Sequence, residues 1–364
     1  MVRLTGQQKL QSKLQQNPKN TKLQTKPHPK PRSKRSIRRT QRRKTKPRRP
    51  KNNNGQMVQT PAGNARFPEE HRNQRSTSMK IAIIGATGQL GTDLVKTLND
   101  KHQITSLTHQ NLEVTDHNSC QILKEHQPDI IINTAAFHKT DQCEEEPLKT
   151  FSVNAIGARN IATISKELNA TTIFISTDYV FDGSKNQPYT EDDTPNPINT
   201  YGISKLAGEL YTKQNPKYYV IRVASLFGAA GASGKGGNFV ETMISKAKQN
   251  ETISVVDDMW MSPTYTKDAA ETIRKIIENR LPFETYHATN QGYCTWFEFA
   301  TEIFKATGQK PTLTPSKTNQ LQAKAQRPRF SALKSIPLQE NGITMREWRT
   351  ALRDYLIEKG HIQH

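Results

Sequence analysis

Tyr201 and Lys205 stand four residues apart in Tyr201-Gly-Ile-Ser-Lys205. On a helix, residues i and i+4 share one face, so a phenol and an ammonium can point into the same cleft. A free tyrosine, with a pKa of ~10, is a poor acid–base partner near neutrality. An ammonium beside it favours the phenolate and is expected to lower that pKa. Earlier in the chain, Ser176-Thr177-Asp178 closes an apolar stretch. A hydroxyl there can donate a hydrogen bond to the carbonyl oxygen that the phenol serves. Thr177, Tyr201 and Lys205 are therefore the candidate catalytic residues, and the chemistry they suit is proton transfer to a carbonyl oxygen.

A second cluster is built from glycine. Gly85-Ala-Thr-Gly88-Gln-Leu-Gly91 falls between a short apolar run and a segment of helical spacing. In a doubly wound sheet one such glycine permits the tight turn. Another lets backbone N–H groups approach a pyrophosphate, and a third allows close helix–strand packing. The helix N-terminus then faces the anion. This spacing predicts a dinucleotide site.

Both clusters need a scaffold, and the pattern after Met79 supplies one. Apolar strands are expected over Lys80–Gly85, Gln103–Leu107, Asp129–Asn133, Thr171–Ser176 and Tyr218–Arg222. Helices are expected over Leu90–Leu98, Asp116–Leu123, Tyr201–Tyr211 and, as one long element, Leu148–Leu168. Continuous apolar strands alternating with helices indicate an α/β fold, a doubly wound parallel sheet of the Rossmann type. Its ligands belong at the carboxyl ends of the strands. From about residue 228 the alternation becomes irregular. A glycine-rich loop over 228–237 precedes helices near 238–248, 266–279, 295–306 and 343–358. The expected organisation is a basic extension over 1–78, a dinucleotide-binding domain over 79–227 and a smaller, mainly substrate-binding lobe over 228–364. Some elements of that lobe return to the Rossmann core.

Charge separates the first segment from the rest. The 364 residues carry a formal net charge of +20. Residues 1–78 hold 22 basic and 2 acidic side chains, and the remainder holds 31 of each. Phe67 is the only aromatic residue of the extension, which has too little apolar surface to offset the entropy of ordering and is read as disordered. It is either a solvated extension, or upstream sequence joined ahead of a domain that opens at Met79, or a nonspecific polyanion-binding arm acting by counterion release. No apolar run approaches the roughly 20 residues that span a bilayer, and no segment has the core of a signal peptide. Cys120, Cys143 and Cys294 are far apart, which indicates neither a disulfide framework nor a cysteine metal site. A cytoplasmic location is expected. The histidines show no metal-ligand spacing, and no metal site is assigned.

The glycine spacing resembles that of the extended short-chain dehydrogenase/reductase superfamily, whose Ser/Thr–Tyr–Lys triad the candidate residues match in order. The wording of several segments is closer still. Ile84–Gly91, Asn133–Asp141, Glu144–Pro147, Ser176–Gly183, Asn199–Glu209, Ser262–Thr264 and Arg327–Leu333 resemble the dTDP-4-dehydrorhamnose reductase family over residues of about 79–360. The resemblance implies NADPH or NADH as cofactor and reduction of the 4-keto group of dTDP-4-dehydro-L-rhamnose to dTDP-L-rhamnose. Hydride would come from the nicotinamide, and Tyr201 would protonate the oxygen. Lys205 would tune Tyr201 and hold the nicotinamide ribose. Gly88, Gln89 and Leu90 would meet the pyrophosphate, with Gly85 and Gly91 shaping the turn. Glu113 and Val114 would flank the adenine, and Thr134, Ala135 and Ala136 would border the cofactor. Thr177 and Asp178 would contact the sugar. Leu107-Thr-His109, where an acidic residue often binds the ribose, has neither carboxylate nor arginine, so NADH and NADPH stay open.

Two departures fall in the sugar pocket. Ser225 stands where the family usually has a tryptophan, which removes an aromatic wall from the substrate site. Asp258-Met-Trp-Met261 replaces another family segment, and Trp260 either compensates or packs. Asn238 and Arg327 either contact the nucleotide or brace the lobe, and His138 either reaches the pocket or is structural. The same triad serves nucleotide-sugar epimerases and dehydratases. One branch of relatives is a non-catalytic regulatory subunit of methionine adenosyltransferase. A homodimer is compatible with the resemblance.

Overall fold

The computed structural model describes residues 78–232, 237–320 and 322–363. The expected disordered extension lies, except for Ser78, outside the described residues, as do residues 233–236 of the glycine-rich loop. Among the described residues twelve short strands follow in chain order. β1 is Lys80–Ile84, β2 Gln103–Leu107, β3 Ile130–Asn133, β4 Thr171–Thr177 and β5 Tyr218–Val223. β6 is Leu226–Phe227, β7 Ile253–Val256, β8 Trp260–Met261 and β9 Thr264–Tyr265. β10 is Thr285–His287, β11 Cys294–Thr295 and β12 Leu313–Ser316.

Six of them form one parallel sheet in the order β10-β5-β4-β3-β1-β2. The order reverses between β1 and β3, so the loops after these strands run to opposite sides and leave a crevice between them. Both faces of the sheet are covered, which is why its strands read as continuous apolar runs. On one face Ile81, Ile83, Ile132 and Ile221 pack against Leu90, Leu94 and Leu98 of the helix Gln89–Leu98, and against Ala269, Ile273 and Ile276 of the helix Thr266–Glu278. On the other face Ala82, Ile84 and Ile131 meet Val114, Leu123, Ile161 and Ile164. A separate core of Phe227, Val240, Tyr265, Phe299, Trp348 and Tyr355 holds the C-terminal lobe. The fold is the doubly wound parallel sheet with a smaller lobe that the alternation implies.

Three elements differ from expectation. The helix over Leu148–Leu168 is interrupted: Pro147–Phe151 and Gly157–Glu167 are α-helical, and Ser152–Ile156 between them is a π turn. Asn154 in that turn donates to the Phe137 carbonyl (2.9 Å) and to Ser204 Oγ (3.0 Å), and it accepts from the Phe137 N–H (2.8 Å). These tertiary bonds stabilise the extra residue in the turn. The helix from Asp116 splits into His117–Cys120 and Ile122–His126. β10 joins the sheet edge beside β5, although three residues give no readable periodicity. All three cysteines are buried thiols.

Candidate active site

Gly85 leaves β1 with φ +78°, the left-handed region that glycine enters without strain. Its N–H donates to the Leu107 carbonyl (2.9 Å), and a Cβ there would stand 2.5 Å from Thr134 Oγ1. Thr134 in turn donates its hydroxyl to the Ile84 carbonyl (2.8 Å), which closes the loop after β3 onto the loop after β1. A Cβ on Gly91 would lie 2.2 Å from the Gly85 carbonyl oxygen, so the first helix packs directly on the turn. Gly88 differs. A Cβ there would meet only the Gly85 oxygen, at 3.1 Å. Gly88 is also the N-cap of the helix Gln89–Leu98 and has no side chain to satisfy its N–H groups. Bare helix N–H groups beside a crevice are an anion cradle. Next to them, Gln89 Nε2 donates to the Leu226 carbonyl (3.0 Å), while Gln89 Oε1 is buried without a hydrogen-bond partner among the described residues. The cradle and this orphaned acceptor fit the pyrophosphate and polar substituents of a dinucleotide.

The helix that carries Tyr201 and Lys205 is Thr200–Thr212. Asn199 caps it by accepting from the Gly202 N–H (2.7 Å), and Thr200 is tied to Glu144 through its N–H (2.8 Å) and hydroxyl (2.6 Å). Gly202 lets the helix press on the Tyr179 carbonyl, where a Cβ would stand 2.1 Å away. Tyr201 is half-buried and lines the same cleft as Thr177, whose hydroxyl lies at the end of β4. Thr177 Oγ1 donates to Asp178 Oδ1 (2.9 Å) and accepts from the Tyr179 N–H (3.2 Å). Asp178 is buried and accepts from Ser331 Oγ (2.5 Å); burial pushes its carboxyl up to about 6. Lys205 is buried, donates to the Ile175 carbonyl (2.6 Å) and lies 4.0 Å over the Phe174 ring.

The expected lowering of the Tyr201 pKa is not found. Enclosure raises it, and Asp178 adds to the rise, while the nearby Thr177 hydroxyl opposes it. Lys205 is itself pushed down to about 7 by burial. Desolvation sets the direction of both shifts. The phenol consequently stays protonated at neutral pH, the state an acid needs.

One cleft of about 1010 Å³ unites these groups. It is lined by Gly85, Gly88, Gln89, Leu90, Gly91, Glu113, Val114, Thr134, Ala135 and Ala136, and by Thr177, Asp178, Tyr201, Lys205 and Ser225. The residues to which the sequence and the family resemblance assign catalytic, cofactor or sugar roles are all on its wall. Glu113 is held by Thr115 (2.9 and 2.8 Å), and the Val114 carbonyl accepts from Asn160 (2.9 Å). Ser225 adopts φ +42°, a strained backbone for a side-chain-bearing residue. His138 lines the same cleft. Trp296 also lines it, at the start of the helix Trp296–Thr307. Its ring is backed by Phe239 with centroids 4.7 Å apart. The sequence pattern gave no hint of this, since its spacing suits a core position equally well. Trp260 is absent from the cleft wall; it clusters with Tyr293 (5.9 Å) and Phe330 (6.2 Å). Asn238 and Arg327 both brace. Asn238 bonds the Gly228 carbonyl (3.1 Å) and the Tyr355 hydroxyl (2.9 Å), and Arg327 pairs with Asp141 (2.8 Å). Among the described residues no cluster suits a metal ion, and no helix is long and apolar enough to cross a membrane.

Residues 79–360 match the family described as RmlD substrate binding domain. Over 286 residues the chain is 40% identical to the spore coat polysaccharide biosynthesis protein SpsK of Bacillus subtilis (strain 168), covering 77% of this chain and 98% of that protein. It is 33% identical over 276 residues to the dTDP-4-keto-6-deoxy-D-glucose reductase of Streptomyces niveus, covering 74% and 94% respectively. The solved structure of dTDP-4-dehydrorhamnose reductase from Bacillus anthracis str. Ames in complex with NADP is similar with a TM-score of 0.74 and 40% identity, covering 77% of this chain and 99% of that one. The chain therefore belongs to the RmlD substrate binding domain family, as its likeness to dTDP-4-dehydrorhamnose reductases anticipates.

Proposed function

We propose that the protein is an NAD(P)H-dependent reductase that converts dTDP-4-dehydro-L-rhamnose to dTDP-L-rhamnose for surface polysaccharide synthesis. The observation that carries this reading is the convergence of Thr177, Tyr201 and Lys205 on the cleft that also holds the glycine turn. The named reductases at 33% and 40% identity support it. When bound, the reduced nicotinamide supplies hydride to the ketone carbon. Thr177 donates a hydrogen bond to the ketone oxygen and Tyr201 delivers its proton there. Lys205 holds the cofactor ribose and favours the phenolate that remains. Gly88, Gln89 and Leu90 cradle the pyrophosphate. Gly85 and Gly91 shape the turn, Glu113 and Val114 flank the adenine, and Thr134, Ala135 and Ala136 border the cofactor. Asp178 and Ser225 face the sugar. On this reading residues 79–227 bind the cofactor and 228–364 mainly the substrate.

The test is NADPH and NADH oxidation against a panel of nucleotide-linked 4-keto-6-deoxy sugars. Stoichiometric oxidation with the rhamnose precursor is expected. Tightly retained NAD with no net oxidation would point instead to an epimerase or dehydratase, and an inert cleft to a cofactor-binding regulatory subunit.

Three further parts of the reading concern the whole chain. Exposed Ile156, Ile203 and Leu210 on neighbouring helices support a homodimer, which light scattering on wild type and Leu210→Asp would test. The charge of residues 1–78 supports nonspecific polyanion binding; equal, weak nucleic-acid affinity with and without them would exclude it. A cytoplasmic location accords with a dinucleotide-dependent activity, and cell fractionation would check it.

A further inference from the structure

Glu209 lies on the same face of the helix Thr200–Thr212 as Tyr201 and Lys205, one turn beyond the lysine. It is fully buried and held by three hydrogen bonds. Ser176 Oγ donates to its Oε1 (2.6 Å), Arg222 Nε to the same oxygen (2.9 Å), and Arg222 Nη2 to Oε2 (2.8 Å). Ser176 immediately precedes Thr177 on β4, and Arg222 is its register partner on β5. Arg222 is enclosed in turn, 5.1 Å over the Phe181 ring and 3.3 Å from His287 Nε2. Burial and Arg222 hold His287 down at about 3, so the imidazole is neutral and adds no charge to the cluster. One carboxylate thus ties the catalytic helix to the ends of the two strands beside it.

The same carboxylate faces a second need. Lys205 is buried with a peptide carbonyl as its acceptor, and a buried ammonium without a countercharge is costly. The charged or titratable groups of the surrounding elements are Tyr201 and Glu209 on its own helix, Arg222 on β5 against Glu209, and Asp178 at the end of β4 and Cys143 on the helix Thr140–Glu145, both beside Tyr201. Of these, Glu209 is the one that opposes the loss of the lysine proton.

We propose that Glu209, clamped by Ser176 and Arg222, is a positioning residue of the active site: it sets the helix Thr200–Thr212 against Thr177 and supplies the buried countercharge one turn from the Lys205 ammonium. This rests on the roles given above to Tyr201 and Lys205. The test is a direct titration of Lys205 by NMR on protein carrying ε-¹³C-lysine, the signal being assigned by its loss in Lys205→Met. In Glu209→Gln the Lys205 pKa is expected to fall by about one unit. The basic limb of the kcat–pH profile should move to lower pH by the same amount, with KM for the nucleotide sugar within about twofold of wild type. Glu209→Asp, which keeps the charge, should restore the wild-type titration. If Glu209→Gln does not fold, Glu209→Gln/Arg222→Met removes both buried charges and should show the same acidic shift, reduced in size. A Lys205 titration unmoved in whichever variant folds overturns the proposal. A wild type that reduces no 4-keto sugar would overturn the reductase reading, while the NMR titration would still decide the role of Glu209.

Discussion

The two ends of the cleft are built by different means. At the glycine turn the wall is backbone: Gly85, Gly88 and Gly91 lie within seven residues, and what matters is the missing Cβ. At the opposite end the wall is assembled from side chains far apart in sequence. Ser331 reaches Asp178 across 153 positions, and Trp296, at the start of the helix Trp296–Thr307, lines the same cleft. A backbone wall recognises a shared cofactor group, and at Gly85 and Gly91 it tolerates almost no added volume. A side-chain wall can exchange one ring for another and so can change substrate. The difference teaches where damage should be absolute and where it should be graded.

The largest effect belongs to the backbone end. Gly91→Val drives side-chain atoms into the Gly85 carbonyl and should destabilise the protein by about 3 kcal/mol or more, with NADPH binding lost. Gly88→Ala has only a 3.1 Å contact to relieve. It should stay within about 1 kcal/mol of wild type in urea unfolding while NADPH affinity falls roughly tenfold. Equal stability losses in both variants would erase the distinction between packing glycine and cradle glycine.

At the substrate end the next effect is electrostatic. Burial raises the Asp178 pKa to about 6, above its unfolded value. The folded state therefore holds this proton longer than the unfolded one, and the associated stability is lost as pH rises through 6. Asp178→Asn lacks this titration. The stability difference between variant and wild type should move in the variant's favour by roughly 2 kcal/mol between pH 4 and 8. A pH-independent difference in denaturant midpoints would show that Asp178 is solvated. The smallest effects separate two tryptophans. Trp296→Ala should raise KM for the nucleotide sugar about tenfold and leave NADPH affinity unchanged, through loss of a ring contact worth about 1.4 kcal/mol. Trp260→Ala, in its cluster with Tyr293 and Phe330, should leave both constants alone. The reverse ranking would place the aromatic wall on Trp260.

The same contrast governs what could be read from the sequence. The cradle and the Tyr201–Lys205 pair are local patterns on single elements, so spacing alone locates them. Thr177 follows because its hydroxyl ends an apolar strand, and Asp178 only from the family resemblance. The π turn at Ser152–Ile156 was not legible, because Asn154 makes its bonds to Phe137 and Ser204, and apolar spacing is blind to such partners. Trp296 was missed for a related reason: helical periodicity does not say whether an inward ring meets a core or a cleft. The direction of the Tyr201 shift was misjudged because spacing reveals a neighbouring charge but not the surrounding desolvation. Ser225 was flagged through a family comparison, yet its left-handed backbone could not be anticipated for a serine.

The central claim is that Tyr201 gives its proton to a ketone oxygen beside a bound nicotinamide. Its most direct test is single-turnover oxidation of NADPH with dTDP-4-dehydro-L-rhamnose by wild type and Tyr201→Phe, with cofactor affinity measured on both. Loss of 10²–10⁴-fold in rate with NADPH affinity within about twofold is the expected result. A Tyr201→Phe enzyme that oxidises NADPH at the wild-type rate would contradict it.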